Sequence, residues 1–590
     1  MSDEAPAASP GPAVRAWLEA AAKVLAKAGT PAGDDPAAAL TSTRAGGLVV
    51  RPLYTAADER AEDPPPGVFP FTRGSGAGWP DGRTGWHVAE RFETGGDPAE
   101  LNTAILQALG NGGSAIWLGG SPGADELTRA LRGVHPGIAP LLLDGAVDAL
   151  AATAGHVVSL GAAPLTAALT GAETVSAERA IEAARGLSGT IFTADGYAAH
   201  NAGAGEALEL GIALAAGAGY LRALLASGRT LPEAFAAIDF RLAASDDQFA
   251  TIAKLRAARL LWARVAEASG AAEAARARIH AVTSLAMASQ RDPYVNVLRG
   301  TIAGLAAGVG GAELVTVHPF DVAIPGGQPG AAPGLARRIA RNTQALLLEE
   351  SQLGRVLDPG AGSWWLEQAT RQLAADGWAA FRRIEAAGGL PDAAAQVRAE
   401  LAEAAAARDD LVARRAVRLT GVNDYPNLAE PSPTTDPGPI ADRTDLPTGS
   451  PALARWGRVF ERLRDRSDAL LAATGVRPRA LLLPIGPLAR HNSAATETAN
   501  LLASGGIEAI NPGPVEPGGI AAVVAEHAPA LAVITGRPDD LADGADAHRD
   551  AAKAAGVPRV EVADWGADID AAALLDDLLG DFETAEEARR

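Results

Sequence analysis

Between residues 86 and 320 the chain alternates short β-like runs with helical stretches rich in Ala and Leu. Eight such runs stand out: WHVAERF (86–92), SAIWLGG (114–120), APLLLDG (139–145), GHVVSLG (155–161), GTIFTADG (189–196), FAAIDF (235–240), ARIHAVTS (277–284) and AELVTVHPF (312–320). Stretches such as ALELGIALAAGAGYLRALLASG separate most of them. Strands joined through helices pair in parallel, since each crossover lays a helix over one face of the sheet. Eight of them fit a (β/α)8 barrel. The pattern alone does not distinguish a closed barrel from an open, doubly wound sheet.

The rest of the chain is organised around this block. Residues 1–45 carry one amphipathic helix, AVRAWLEAAAKVLAKAG, between Pro/Gly-rich flanks, the character of an arm that frays or lies on a partner. After about residue 395 a charged helix, AAAQVRAELAEAAAARDDLVARRAVRLTG, runs into NDYPNLAEPSPTTDPGPIADRTDLPTGSP, which has no apolar period. The span 396–477 is therefore expected to be a helix followed by a Pro/Asp-rich linker. From 478 to 582 a second, smaller alternation (RALLLPIG, a helical run, ALAVITG, PRVEVADWG) fits a flavodoxin-like domain of four or five parallel strands. Residues 583–590 read as a solvated tail.

Composition narrows the chemistry. At 590 residues the chain exceeds a single core. It has no cysteine, which removes disulfides, thiolate zinc sites and thiol nucleophiles. Its formal net charge of −20 argues against a nucleic-acid surface. The first thirty residues lack the pattern of a secretory signal and the sequence is read as having no apolar run of about 18 residues, so no membrane span, no membrane partner and a cytoplasmic location are expected. Nine histidines show no H-E-x-x-H or similar ligand spacing, so no protein metal site is expected. The Gly-rich segments GNGGSAIWLGGSPGAD (110–125) and DPGAGSWW (358–365) lack the Lys-Ser/Thr of a phosphate-binding loop and read as tight turns at barrel rims. No Ser–His–Asp arrangement can be certified from spacing, because such triads are recognised in space.

Several stretches, in order and with matching spacing, resemble the methylmalonyl-CoA mutase family: RPLYTAAD (51–58), PGVFPFTRG (66–74), SQRDPYVNVLRGTIAGLAAGVGGAELVTVHPFD (289–321) and RIARNTQALLLEESQLGRVLDPGAGSWW (338–365). The likeness runs from about 50 to 395 and more weakly through the last hundred residues. It implies a (β/α)8 TIM barrel over 46–395, threaded by CoA in working members, and a flavodoxin-like cobalamin domain over 478–582. It also implies interconversion of methylmalonyl-CoA and succinyl-CoA by an adenosyl radical. In the actinobacterial type the enzyme is a heterodimer of a large working subunit and a shorter homologue.

Three departures from the family pattern point to the shorter homologue. Working members carry a G-Y-H-x-x-E-A-G loop whose His hydrogen-bonds the substrate thioester. Gly196, Tyr197, Ala202 and Gly203 match here, but the His position is Ala198 and the Glu position is Asn201. A methyl group can neither donate a proton nor stabilise charge on a carbonyl. His200, two residues on, is read as a partly exposed loop histidine. The segment after FPFTRG, which holds a Tyr in working members, has none here; Trp79 and Trp86 read as packing residues. Cobalamin domains of this type use D-x-H-x-x-G. Alignment places His491 at the cobalt position, but Ala489 replaces the Asp and Ala494 the Gly. His491 then reads as a histidine at a helix entry. The family's later S-x-L run is replaced by ITGRPDD (534–540), and no Gly-Gly pair stands near VEVADWG (560–566). Arg291 and Asp292, before Pro293, belong to the family match and read as structural ion-pair residues.

The resemblance thus implies a small, non-catalytic subunit that stabilises a cobalamin-binding large subunit. No catalytic residue, bound cofactor or metal is expected on this chain, and adenosylcobalamin is expected in the partner. Two alternatives are a working adenosylcobalamin-dependent acyl-CoA isomerase and a CoA-ester-binding regulatory module, since a barrel bore can retain a CoA thioester without turning it over.

Overall fold

The computed structural model describes residues 11–28, 33, 35–60, 63–172, 174–187, 189–432, 453–566 and 569–587. The expected strands are present: β1 (His87–Glu93), β2 (Ala115–Gly119), β3 (Leu141–Leu142), β4 (Val158–Ala162), β5 (Gly189–Asp195), β6 (Ile238–Ala244), β7 (Ile279–Thr283) and β8 (Leu314–Thr316). They form a closed barrel in sequence order. Closure lies in β8, whose Leu314 is in parallel register with His280 of β7 on one side and His87 of β1 on the other. That pairing decides for the barrel over the open sheet.

The largest shift from the sequence reading is at β6. Leu231–Ala236 is helical, begun by a Thr230/Glu233 capping box, so the strand starts at Ile238 rather than at Phe235. Outside the barrel, α1 (Pro12–Lys27) starts on a proline, where the missing N–H costs nothing, and buries only Leu25. After β5 come α2 (Gly196–Asn201), α3 (Glu206–Ala226), α4 (Gln248–Ala268) and, later, α5 (Trp364–Ala386). By length and composition α3 is apolar enough to cross a membrane, which the sequence reading did not anticipate. However, 72% of its apolar window is buried within the fold. Gly211 explains how: a Cβ there would lie 2.5 Å from the Ala380 Cβ of α5, so only glycine lets the two helices approach this closely.

Helix α6 (Leu390–Ala413) is shorter than the charged stretch implied. The chain beyond it is not a free linker as far as residue 424. Asn423 is fully buried, gives its amide hydrogens to the Val412 and Val417 carbonyls, and accepts from the Leu419 N–H at 2.6 Å. An asparagine that saturates three backbone groups fixes a turn whatever the surrounding composition. Residues 433–452 of the expected linker lie outside the described residues, as do 1–10 of the arm and 588–590 of the tail.

The last part contains α7 (Arg458–Thr474), β9 (Arg479–Pro484), α8 (Leu488–Ser504), β10 (Glu508–Ile510), β11 (Leu531–Thr535), α9 (Pro538–Ala554), β12 (Arg559–Val562) and α10 (Ala571–Glu587). The four strands are parallel, in the order β10-β9-β11-β12. Side chains alternate across β9: Leu482 packs into the core shared with Leu502 and Leu575, and Leu481 and Leu483 into a second core with Ile520 and Leu541. Burial on both faces makes this strand an unbroken apolar run. The tail expected from 583 is helical through Glu587, and Glu583 forms a two-point ion pair with Arg466 of α7.

Ionic contacts join this unit to the barrel. Arg291, buried in the loop after β7, pairs with Asp465 at 2.6 Å and Asp468 at 2.8 Å on α7. It is a structural ion-pair residue whose partners lie over 170 positions away. Asp292 takes a positive φ and gives its N–H to Glu430.

Candidate functional site

Active sites of parallel barrels lie at the C-terminal ends of the strands, where the loops converge. Inward-facing positions there bring together Arg91 of β1, Trp117 of β2, Asp144 just past β3, Asp195 at the end of β5 and Arg241 of β6. The Trp117 indole N–H donates to Asp144 Oδ1 at 2.8 Å. Arg91 and Arg241 reach the two Asp144 oxygens at 3.0 and 2.9 Å, and both guanidinium carbons lie 4.3 Å from the Trp117 ring centroid. The His280 ring meets the same indole edge-on at 5.1 Å. Two cations over one indole and one carboxylate between them form a compact, charge-compensated cluster across the bore. Burial pushes the Asp144 carboxyl up, but Arg241 and Arg91 outweigh it and hold it below the usual carboxylate range.

This cluster divides the barrel interior. Toward the C-terminal mouth lies a cavity of about 670 Å³ whose walls include Trp117, Tyr197, Leu285, His318 and Arg337. Toward the N-terminal end lies a separate cavity of about 380 Å³, walled in part by Arg241, His280 and Leu142. Neither lining reaches across Trp117.

The Ala198 segment is helical. Asp195 accepts from the Ala198 N–H at 3.0 Å and starts α2 on the last residue of β5. Tyr197 sits at the mouth, its hydroxyl 2.8 Å from His318 Nε2. Burial raises Tyr197 and, helped by Arg91, lowers His318 to about 3, so both are neutral at ordinary pH. Burial also raises Asp195 despite Arg241. Neither Tyr197 nor His318 is poised near neutrality as a general acid or base would be.

His200 is not a partly exposed loop residue. Coiling of α2 turns it inward, where it is 3% exposed. Its Nε2 lies 2.8 Å from Ser284 Oγ and its Nδ1 3.5 Å from Glu209, which in turn pairs with Lys254 at 2.5 Å. Asn201, at the family's Glu position, accepts from the Leu285 and Ala286 N–H groups at 3.1 and 3.2 Å. Its own carbonyl accepts from the Ala454 N–H at 2.7 Å, where the chain returns toward α7. Trp79 and Trp86 pack edge to face, giving their N–H groups to Gly354 and Gln344.

Ligands of open α/β sheets enter at the switch point beyond the strand ends, here between β9 and β11. His491 lies there on the first turn of α8, 2% exposed, with Nδ1 held by the Gly486 carbonyl at 2.8 Å rather than by a carboxylate. Arg490 bridges to Asp540 of α9 at 3.0 Å, and the buried Thr498 and Thr535 hydroxyls bond each other at 3.1 Å. The Asp that would orient a ligating imidazole is Ala489, and the Gly of the family motif is Ala494. These residues do not fit a cobalamin. Among the described residues no group of three or more His, Asp or Glu comes together as a metal site.

The central cluster, with residues far apart in sequence such as Trp117 and Arg241, was not singled out from the sequence. The available signal was a charged or aromatic residue on the inward parity of otherwise apolar strands.

Fold and mouth together define a parallel (β/α)8-barrel protein of the kind that carries enzyme sites, with an appended parallel α/β unit. The methylmalonyl-CoA mutase family model matches residues 189–443. The chain is 47% identical to a Mycobacterium tuberculosis protein named "Probable methylmalonyl-CoA mutase small subunit", over 93% of this chain and 91% of the relative. It is 42% identical to the methylmalonyl-CoA mutase small subunit of Streptomyces virginiae, over 94% and 93%. It is 37% identical to that of Propionibacterium freudenreichii subsp. shermanii, over 76% and 72%. The chain belongs to the methylmalonyl-CoA mutase family.

Proposed function

We propose that this chain is the small subunit of a heterodimeric methylmalonyl-CoA mutase, and that it stabilises a large subunit carrying adenosylcobalamin and all of the chemistry. The observation that carries the reading is the Trp117–Asp144–Arg241 cluster. A CoA thioester cannot be threaded along a bore closed at its middle, and the residue at the thioester-binding position is Ala198. The small-subunit names of relatives matching nearly the whole chain support the partner. The bridged crevice around His491 supports reading residues 478–582 as a flavodoxin-like domain that has lost its cobalamin. The amphipathic helix α1, with Val24 exposed on it, suits partner contact.

The test is co-expression with a large subunit bearing an intact G-Y-H loop and D-x-H-x-x-G motif. A one-to-one complex active with adenosylcobalamin is expected, while this chain alone neither shifts the cobalamin spectrum nor forms succinyl-CoA. Turnover by the isolated chain would overturn the reading. So would a large subunit with unchanged activity and heat stability in its absence.

A further inference from the structure

The helix Val295–Val309, which connects β7 to β8 on the outside of the barrel, is inside out. Its polar side chains face the interior. Asn296 and Arg299 are buried: the Asn296 amide donates to the Ser289 and Phe320 carbonyls, and Arg299 donates to the Asn296 side-chain oxygen and the Thr420 carbonyl. The other inward positions, such as Gly300, Ala303, Gly304 and Gly308, are small. They have to be, since a Cβ on Gly304 would lie 3.1 Å from Val317 and one on Gly308 would run into the Trp86 ring. The bulky apolar side chains point the other way. Tyr294, Leu298 and Ile302 stand at i, i+4 and i+8, hence on one face, and are 54%, 62% and 39% exposed. From 294 to 309 every residue that is not buried is apolar except Thr301. A surface helix of a lone globular protein has the opposite arrangement, with its apolar stripe toward the core.

We propose that this face is where the large subunit docks, an inference that rests on the small-subunit reading above. Scattered exposed apolar residues need no explanation, but this stripe with its half-buried flanks is an uncharged face on the order of 350 Å², within the size range of functional patches on monomers. None of Tyr294, Leu298 and Ile302 lines either barrel cavity, and the exposed side of the helix offers no charge, so a small ligand or a nucleic acid has nothing there to hold. A stable protein interface of standard size takes about 800 Å² on each partner around an apolar core, and the stripe is of the size of such a core. The Tyr294 ring is set for the purpose: it stacks on buried Phe320 at a centroid distance of 4.9 Å and still keeps half of its surface outside. A second copy of this chain would bring a further net charge of −20 against its own, whereas the small-subunit reading already supplies a different chain.

The test uses the full chain and a large subunit bearing the intact G-Y-H loop, with affinity measured by sedimentation. Leu298→Glu should weaken the complex at least ten-fold and leave the melting temperature of the free chain unchanged. Leu225→Glu, at an exposed apolar position of α3 outside the stripe, should leave affinity as it was. Hydroxyl-radical footprinting of the unaltered chain reads the same face without any variant: oxidation of Tyr294 and Leu298 should fall several-fold in the complex, and that of Leu225 should not. If the unaltered chain pairs but Leu298→Glu pairs equally well, or if Tyr294 stays as reactive in the complex as in the free chain, this inference is overturned while the small-subunit reading stands. Self-association that Leu298→Glu abolishes, with large-subunit binding intact, would overturn it too and give the face to a second copy. An unaltered chain that pairs with no large subunit would overturn the reading itself, and this inference with it. The footprint decides the matter even if Leu298→Glu fails to fold.

Discussion

Trp117 on β2 and Asp144 just past the neighbouring β3 are joined by a 2.8 Å hydrogen bond from indole to carboxylate inside the barrel. The bond organises everything around it. The carboxylate holds two guanidinium groups, and those lie over the indole that donates to it. A (β/α)8 barrel is ordinarily filled by layers of branched aliphatic side chains. Here one layer is ionic, and the apolar side chains inside the barrel, such as Ala89, Ala243 and Val282, are small.

Removing the carboxylate should therefore be far more damaging than removing one hydrogen bond. Asp144→Ala leaves Arg91 and Arg241 without their shared anion, the situation that costs about 3–5 kcal/mol for buried pairs. Asp144→Asn keeps an acceptor for the indole and should lose clearly less. Urea midpoints of both variants against the parent check the order. Equal losses would mean that the charge carries no weight.

The barrel was legible because parallel strands buried on both faces read as apolar runs of five or so residues at regular spacing. Closure was not legible, because it depends on β8 finding β1 across 220 residues. The site was half legible. Ala198 and Asn201 could be placed by their neighbours Gly196, Tyr197, Ala202 and Gly203. The setting of His200 could not, because a Gly-flanked segment read as loop is a capped helix whose coil carries that ring inward. Arg291 shows the same limit: its sequence neighbours say nothing of Asp465 and Asp468.

Stability should fall with mild acid, above the range in which carboxylates protonate. His280 is held neutral in the fold, its pKa well below the unfolded value of about 6.5. Below pH 6.5 the unfolded chain therefore binds a proton that the native chain refuses, and proton uptake favours unfolding. The contribution is fully present above pH 6.5 and is lost at up to about 1.4 kcal/mol per pH unit as the pH drops. His318, lowered to about 3, acts in the same direction down to that pH. Urea midpoints at pH 7, 6 and 5 should decline, and His280→Gln should flatten the decline. A His280→Gln slope equal to the parent's would refute this.

The two aspartates that meet Arg291 are unequal. Asp465 is 58% exposed and Asp468 10%. An exposed partner is screened, so Asp465→Ala should cost less than about 1 kcal/mol. Asp468 also pairs with Arg477 at 2.7 Å, and Asp468→Ala leaves the buried Arg291 and Arg477 short of an anion. It should loosen the C-terminal unit from the barrel. Limited proteolysis between residues 425 and 460 reports this: cleavage should speed up several-fold in Asp468→Ala and hardly change in Asp465→Ala.

Asn201 stands at the position that the family resemblance gives to Glu in working members, and in this fold it holds backbone groups. Its side-chain oxygen satisfies two backbone N–H groups, Leu285 and Ala286, in the loop beyond β7, while its carbonyl fixes Ala454. Asn201→Ala strands both donors in a region of low exposure, at about 1–3 kcal/mol for each unpaired group. Asn201→Asp keeps the acceptor and should cost much less. Restoring the family pattern with Ala198→His and Asn201→Glu should produce no succinyl-CoA in the isolated chain even with adenosylcobalamin supplied, since Trp117 still closes the bore and His491 still lies in a bridged crevice. Product from that double variant would mean that the bore opens in solution, and that the loss of activity rests on the α2 residues alone.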